Sequence, residues 1–76
     1  MYLYRPIKES LRSPYIGRYT PYGIEIVQLT DNDTQKVQLV SDVSLDLAVV
    51  SHISYLCNKG QLEPIHIGDI LEDLLP

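Results

Sequence analysis

The stretch Cys57-Asn58-Lys59-Gly60-Gln61-Leu62-Glu63-Pro64-Ile65-His66 constrains this chain more than any other. It reads as a hinge between two short helices, with everything before it forming a sheet for the helix pair to cover. Lys59 sits where the last turn of a helix favours a cation, and Gly60 where the chain leaves through a left-handed residue. Pro64 falls where the first turn of a new helix tolerates a missing N–H.

The segments before the hinge carry strand signals. Tyr22 to Leu29 is the clearest, with Tyr22, Ile24 and Ile26 pointing one way and Glu25 the other. Asp31-Asn32-Asp33-Thr34 is a turn of residues that hydrogen-bond their own backbone. In the returning arm Val37, Leu39, Ser41 and Val43 alternate with Lys36, Gln38, Val40 and Asp42. Residues 2–11 favour a strand, but Pro6 cannot donate to a ladder, so that strand is an edge or is interrupted. Leu11-Arg12-Ser13-Pro14 reads as a connection, and the chain is extended again from Tyr15 to Thr20, with Pro21 at a bulge or edge. Ser44 is the expected N-cap of the first helix, with Leu45, Val49, Ile53 and Leu56 along one stripe. Ile67, Ile70, Leu71, Leu74 and Leu75 form the stripe of the second. The expected fold is α+β, a three-stranded antiparallel meander followed by two short helices packed on one face, in the order β-β-β-α-α within a single domain, 1–76.

A chain of 76 residues buries only roughly 60–65% of its unfolded surface, so small domains of this size draw on disulfides, metals or self-association. Cys57 is the single cysteine, and no Cys/His cluster has zinc spacing. Self-association is the remaining device. No apolar run approaches the ~20 residues of a membrane helix, and the N-terminus lacks a signal-peptide pattern, so a cytoplasmic protein is expected. The formal net charge of −4 disfavours nucleic acid, but it is unevenly placed. Residues 1–30 carry Arg5, Lys8, Arg12 and Arg18 against Glu9 and Glu25. Residues 31–76 carry only Lys36 and Lys59 against eight carboxylates.

Tyr22-Gly23-Ile24, Val43-Ser44 before a helix, Leu62-x-Pro64-Ile65-His66 and Asp69-x-x-Glu72-Asp73 together resemble a small uncharacterised family from Gram-positive bacteria, over about residues 15–75. That family's closing segment has Ser where this chain has Glu63. It is a family without an assigned function, so the resemblance implies a free-standing bacterial domain and carries no active site.

No residue pattern demands chemistry. His66, Asp69 and Asp73 fall along one face of the second helix, but one helix rarely wraps a cation and an acidic outer face is ordinarily solvated. Cys57 near a helix C-terminus is placed against thiolate formation. The serines fit no nucleophile motif and the glycines no phosphate loop. Neither an enzyme, a metal site nor a cofactor is expected. Gly60, Pro64 and His66 read as structural hinge residues. The tyrosines stand out: they crowd the first 22 residues, interleaved with arginines, and these two residue types anchor many interfaces. Tyr4, Arg12, Tyr15, Arg18 and Tyr19 are the candidate interface on the sheet, with a protein partner expected, self or foreign, most simply in a homodimer. The alternative is a weak single-stranded nucleic-acid binder using the same basic and aromatic surface.

Overall fold

A computed structural model describes residues 1–75. Five strands and two helices follow in order: β1 (Tyr2–Lys8), β2 (Leu11–Ser13), β3 (Gly17–Tyr19), β4 (Tyr22–Leu29), β5 (Thr34–Ser44), α1 (Leu47–Gly60) and α2 (Ile67–Leu74), with a short 3-10 turn at Pro64–His66 leading directly into α2. The main sheet has the order β1-β4-β5, antiparallel throughout, while β2 and β3 form a second, two-stranded sheet. The fold is thus mixed α+β as expected, but the simple meander is elaborated by that extra hairpin.

The extra hairpin continues the β1–β4 ribbon. Tyr2 faces Gln28 and the pairing runs without slippage to Lys8 opposite Tyr22. Leu11 opposite Tyr19 and Ser13 opposite Gly17 keep the same register. Between the two stretches the Glu9 N–H donates to the Pro21 carbonyl at 2.9 Å. Leu11–Ser13, expected as a connection, is therefore a strand. Cross-strand pairing overrides the turn signal of Ser13-Pro14, which acts one residue later.

One face of the sheet packs on α1. Tyr4, Ile24 and Ile26 meet Val50, Ile53 and Cys57, and Ile67 of α2 closes the cluster. Ile24, Ile26 and Val50 are wholly buried. The expected grouping of Tyr22, Ile24 and Ile26 holds. In β5 the alternation breaks, because register irregularities lie between Tyr22 and Ile24 and between Ile26 and Val27. The first adds two residues to β5 relative to β4 and keeps its side chains on the same faces, whereas the second adds one and turns them over. Val40, opposite the inward Ile24, and Val43 pack against the core, whereas Leu39, opposite Glu25, and Val37 are left exposed.

Glu25, on the sheet's other face, is buried rather than solvated. Arg5 stands directly opposite it and donates to its carboxylate, and Lys36 Nζ lies 3.6 Å away. The Arg5 hydrogen bond holds the Glu25 carboxyl below its usual value against the opposing effect of burial.

Both helix termini differ in detail from expectation. Asp46, not Ser44, caps α1: its Oδ1 accepts from the Ala48 N–H at 2.9 Å, while Ser44 Oγ accepts from the Asp46 N–H one step earlier. The helix therefore starts at Leu47, and Leu45 lies outside it, exposed. At the other end Gly60 is the last helical residue and Gln61 takes the left-handed conformation, φ 47° and ψ 50°. The Gln61 N–H bonds the Asn58 carbonyl and the Leu62 N–H the Cys57 carbonyl, the paired bonds of a Schellman ending. Gly60 is thus one position too early to be the left-handed cap.

Why does the chain place a glutamine at that strained position? The edge of β1 supplies a reason. The Asn58 side-chain amide accepts from the Tyr4 N–H and donates to the Tyr4 carbonyl, both at 2.7 Å. Gln61 repeats the pattern more loosely on Tyr2, at 3.4 and 3.5 Å. Two side-chain amides thus imitate a neighbouring strand along β1. Pro6, next in the same two-residue rhythm, has no N–H to present. Unpaired edges invite further strands, and this one is closed at successive positions.

Candidate protein interface: the projecting hairpin

Beyond Lys8 and Tyr22 the β2–β3 hairpin leaves the body of the molecule. Its two strands pack chiefly on each other, and the molecule is elongated, 44 × 26 × 20 Å. Pro14, Tyr15 and Ile16 form the tip. Pro14 suits the start of a tight turn, the Ser13 Oγ accepts from the Tyr15 N–H at 3.1 Å, and Gly17 closes the loop at φ +77°, a conformation L side chains resist.

The root of this arm is clamped. Glu9 reaches across Gly23 to β5, where its carboxylate accepts from the Ser41 hydroxyl at 2.8 Å and the Asp42 N–H at 2.7 Å. Asp42 sits in the left-handed region at φ 56°, within the stretch of β5 that pairs irregularly with β4. Its carboxylate accepts from the Tyr19 hydroxyl at 2.8 Å, which raises the Tyr19 pKa above the ordinary phenol value. Gly23 makes the arrangement feasible. A Cβ there would lie 2.5 Å from the Val40 carbonyl oxygen and 2.9 Å from Glu9 Oε2.

The structure separates the residues that the sequence grouped as an interface. Tyr4 does not belong to it: only 1% of it is exposed, its ring fills the core, and its hydroxyl donates to the Leu62 carbonyl. Burial pushes its pKa up to about 12. Strand alternation explains the correction, because Tyr4 shares the inward face with Ile24 and Ile26. Arg12, Tyr15, Arg18 and Tyr19 do come together on the hairpin. Tyr15 is 94% exposed and the neighbouring Ile16 67%. Arg12 stands directly opposite Arg18, both exposed. Like charges facing across a strand pair are destabilising, and among the described residues no carboxylate pairs with either. Tyr19 is half-buried at the root.

The hinge residues fall between the helices. Pro64 opens the 3-10 turn, and His66 ends it and precedes α2, exposed, with its backbone N–H on the Glu63 carbonyl. Among the described residues no group of three or more His, Cys, Asp or Glu is placed to hold a metal ion. Cys57 is a buried free thiol whose pKa is raised by desolvation. Sequence reasoning missed Ile16, Glu9, Gly23, Asp42 and Asn58. The run Ser13-Pro14-Tyr15-Ile16-Gly17 does carry a short-loop signal, but the reach of Glu9 and Asn58 across distant strands has none.

Between α1 and α2 lies a second surface feature, an apolar cavity of about 240 Å³ lined by Leu56, Cys57, Leu62, Ile70, Asp73 and Leu74.

Fold and surface define a small α+β domain that carries an exposed aromatic and basic hairpin on a clamped root. No helix among the described residues is long and apolar enough to cross a membrane. The chain belongs to a family of unknown function, DUF6514, matched over residues 1–76. No curated protein and no solved structure matches it.

Proposed function

We propose that the protein is a protein-interaction module whose docking element is the β2–β3 hairpin, with Tyr15 and Ile16 as apolar anchors and Arg12 and Arg18 as their charged flanks. One observation carries the reading: two large apolar side chains stand 94% and 67% exposed at the tip of an arm that the fold takes care to clamp. Exposed apolar residues are common singly. Here they adjoin a facing pair of arginines, an arrangement that costs stability in the isolated chain and that an acidic partner relieves. Tyrosine and arginine are also the residues that most often dominate interface energies.

The nucleic-acid alternative draws less support. Stacking of single strands uses rows of exposed aromatic rings, and Tyr4, one of the rings counted toward that surface, lies in the core. The proposal assigns the chain no catalytic role. It sets the module in a bacterial cytoplasm, where a single buried thiol such as Cys57 stays reduced.

A photo-crosslinking phenylalanine analogue in place of Tyr15, introduced in cells, tests the reading. Discrete protein adducts are expected, and Arg12→Glu with Arg18→Glu abolishes them. Adducts absent from position 15 and present from a probe on the opposite, helical side would refute the hairpin as the docking element.

A further inference from the structure

The cavity between α1 and α2 has the opposite character to the hairpin tip. Its walls are Leu56, Leu62, Ile70, Leu74 and the Cys57 thiol, with Asp73 as its charged member. Asp69, Glu72 and Asp73 are exposed along α2, and none is ion-paired among the described residues. An apolar slot of ~150 Å³ accepts a benzene ring, so the 240 Å³ here has room for a phenol ring with space beside it. The hairpin tip offers such a ring on Tyr15, followed by Ile16 and flanked by two unpaired arginines.

The two surfaces cannot meet within one chain. The C-terminal end of α1, which forms one wall of the cavity, is tied to Tyr2 and Tyr4 by Asn58 and Gln61. The hairpin leaves the sheet beyond Lys8, at the other end of the same strand. Two copies lying side by side in opposite directions would bring each tip to the other's cavity, a reciprocal contact that closes at two subunits.

We propose that the Tyr15 tip of one copy seats in the α1–α2 cavity of a second copy, with Arg12 and Arg18 against Asp69 and Asp73. The proposal rests on the hairpin reading above and adds its receptor. Charge decides the occupant: the arm is the basic part of this chain and α2 its acidic part, so each surface finds its complement on the other end of an identical molecule. The same complementarity disfavours like ends meeting.

Charge exchange tests the contact, read as solution mass by light scattering and sedimentation. Wild-type protein is expected to dimerise at low salt and to weaken at high salt. Tyr15→Ser is expected to raise the dimer Kd at least about tenfold, a loss of roughly 1.4 kcal/mol. Arg12→Glu with Arg18→Glu makes one variant, and Asp69→Lys with Asp73→Lys the other. All four positions are exposed, so both variants retain the wild-type circular dichroism. Each alone is expected to be monomeric, because tip and cavity then carry like charges. An equimolar mixture of the two restores a dimer, since each tip again meets a cavity of opposite sign.

A mixture that stays monomeric overturns the proposal, and so does an Asp69/Asp73 variant that dimerises as well as wild type. If the arginine variant alone loses association, the hairpin stands as a docking element and the cavity falls as its receptor. Wild-type protein that stays monomeric to about 1 mM also overturns it. Tyr15 crosslinks to a foreign protein would in that case leave the interaction-module reading intact.

Discussion

Asn58→Ala is expected to destabilise the protein by about 2–3 kcal/mol, far more than truncating an exposed helix residue normally does. The Asn58 amide holds both backbone polar groups of Tyr4 at 2.7 Å, one as donor and one as acceptor. Removing it leaves a donor and an acceptor in a part-buried gap between α1 and β1, and each orphaned group costs about 1–3 kcal/mol when water replaces the partner poorly. The gap lies at the sheet edge, where some water can enter, which holds each group to about 1–1.5 kcal/mol. Gln61→Ala is the internal control. It removes the same kind of amide from Tyr2, but those bonds are 3.4 and 3.5 Å and exposed, so a loss of about 0.5 kcal/mol is expected. Urea unfolding followed by circular dichroism measures both, and for a domain of this size 2 kcal/mol corresponds to a fall in Tm of roughly 8–16 °C. If Asn58→Ala costs no more than Gln61→Ala, the strand-mimicking role of Asn58 is wrong.

Three further outcomes follow from other parts of the fold. Gly23→Ala forces a Cβ to within 2.5 Å of the Val40 carbonyl oxygen, a backbone atom that cannot swing aside; a loss of about 2 kcal/mol or more in chemical denaturation is expected, and a neutral result would mean the Glu9 clamp is not packed as described. Gly60→Ala is expected to stabilise the protein by about 0.5–1 kcal/mol, because Gly60 is helical and nothing lies within 4 Å of an added Cβ; destabilisation would restore Gly60 as the left-handed cap. Tyr4 has a pKa raised from 10.0 to about 12, so its contribution to stability is fully present below pH 10 and is lost as the pH rises from 10 towards 12. Ultraviolet titration should show Tyr4 as the last of the six tyrosines to ionise, behind Tyr19, whose pKa is also raised, with that last step absent in Tyr4→Phe.

Much of this was legible in the residues, and the misses share a cause. The inward face of β4 followed from period-two spacing, and Pro6 announced an edge or interrupted strand, because a missing N–H is a local property. Pro64 marked the entry to the second helical segment for the same reason. The errors lie where a distant group intervened. Tyr4 was grouped with Tyr15 and Tyr19 by composition, yet strand alternation and the Leu62 carbonyl draw it into the core. The alternation of Val37 and Leu39 with polar residues was visible but not which face it served, and the register with β4 sets Leu39 opposite Glu25 and leaves both exposed. The left-handed cap fell on Gln61 rather than Gly60, where the glutamine amide reaches the β1 edge.

Local propensity and spacing determined that this chain is a sheet followed by two helices, that no disulfide braces it, and that tyrosine and arginine crowd its first strands. Those properties depend on residues within a few positions of one another. Only the tertiary structure decided which tyrosines are exposed and which are core, that β1 is sealed by side-chain amides, and that Glu9 passes over a bare Gly23 to grip β5. These depend on contacts between residues far apart in the chain, 54 positions for Tyr4 and Asn58 and 59 for Tyr2 and Gln61. Such contacts exist only once the helix pair has docked on the sheet, and they decide which side chains are left exposed.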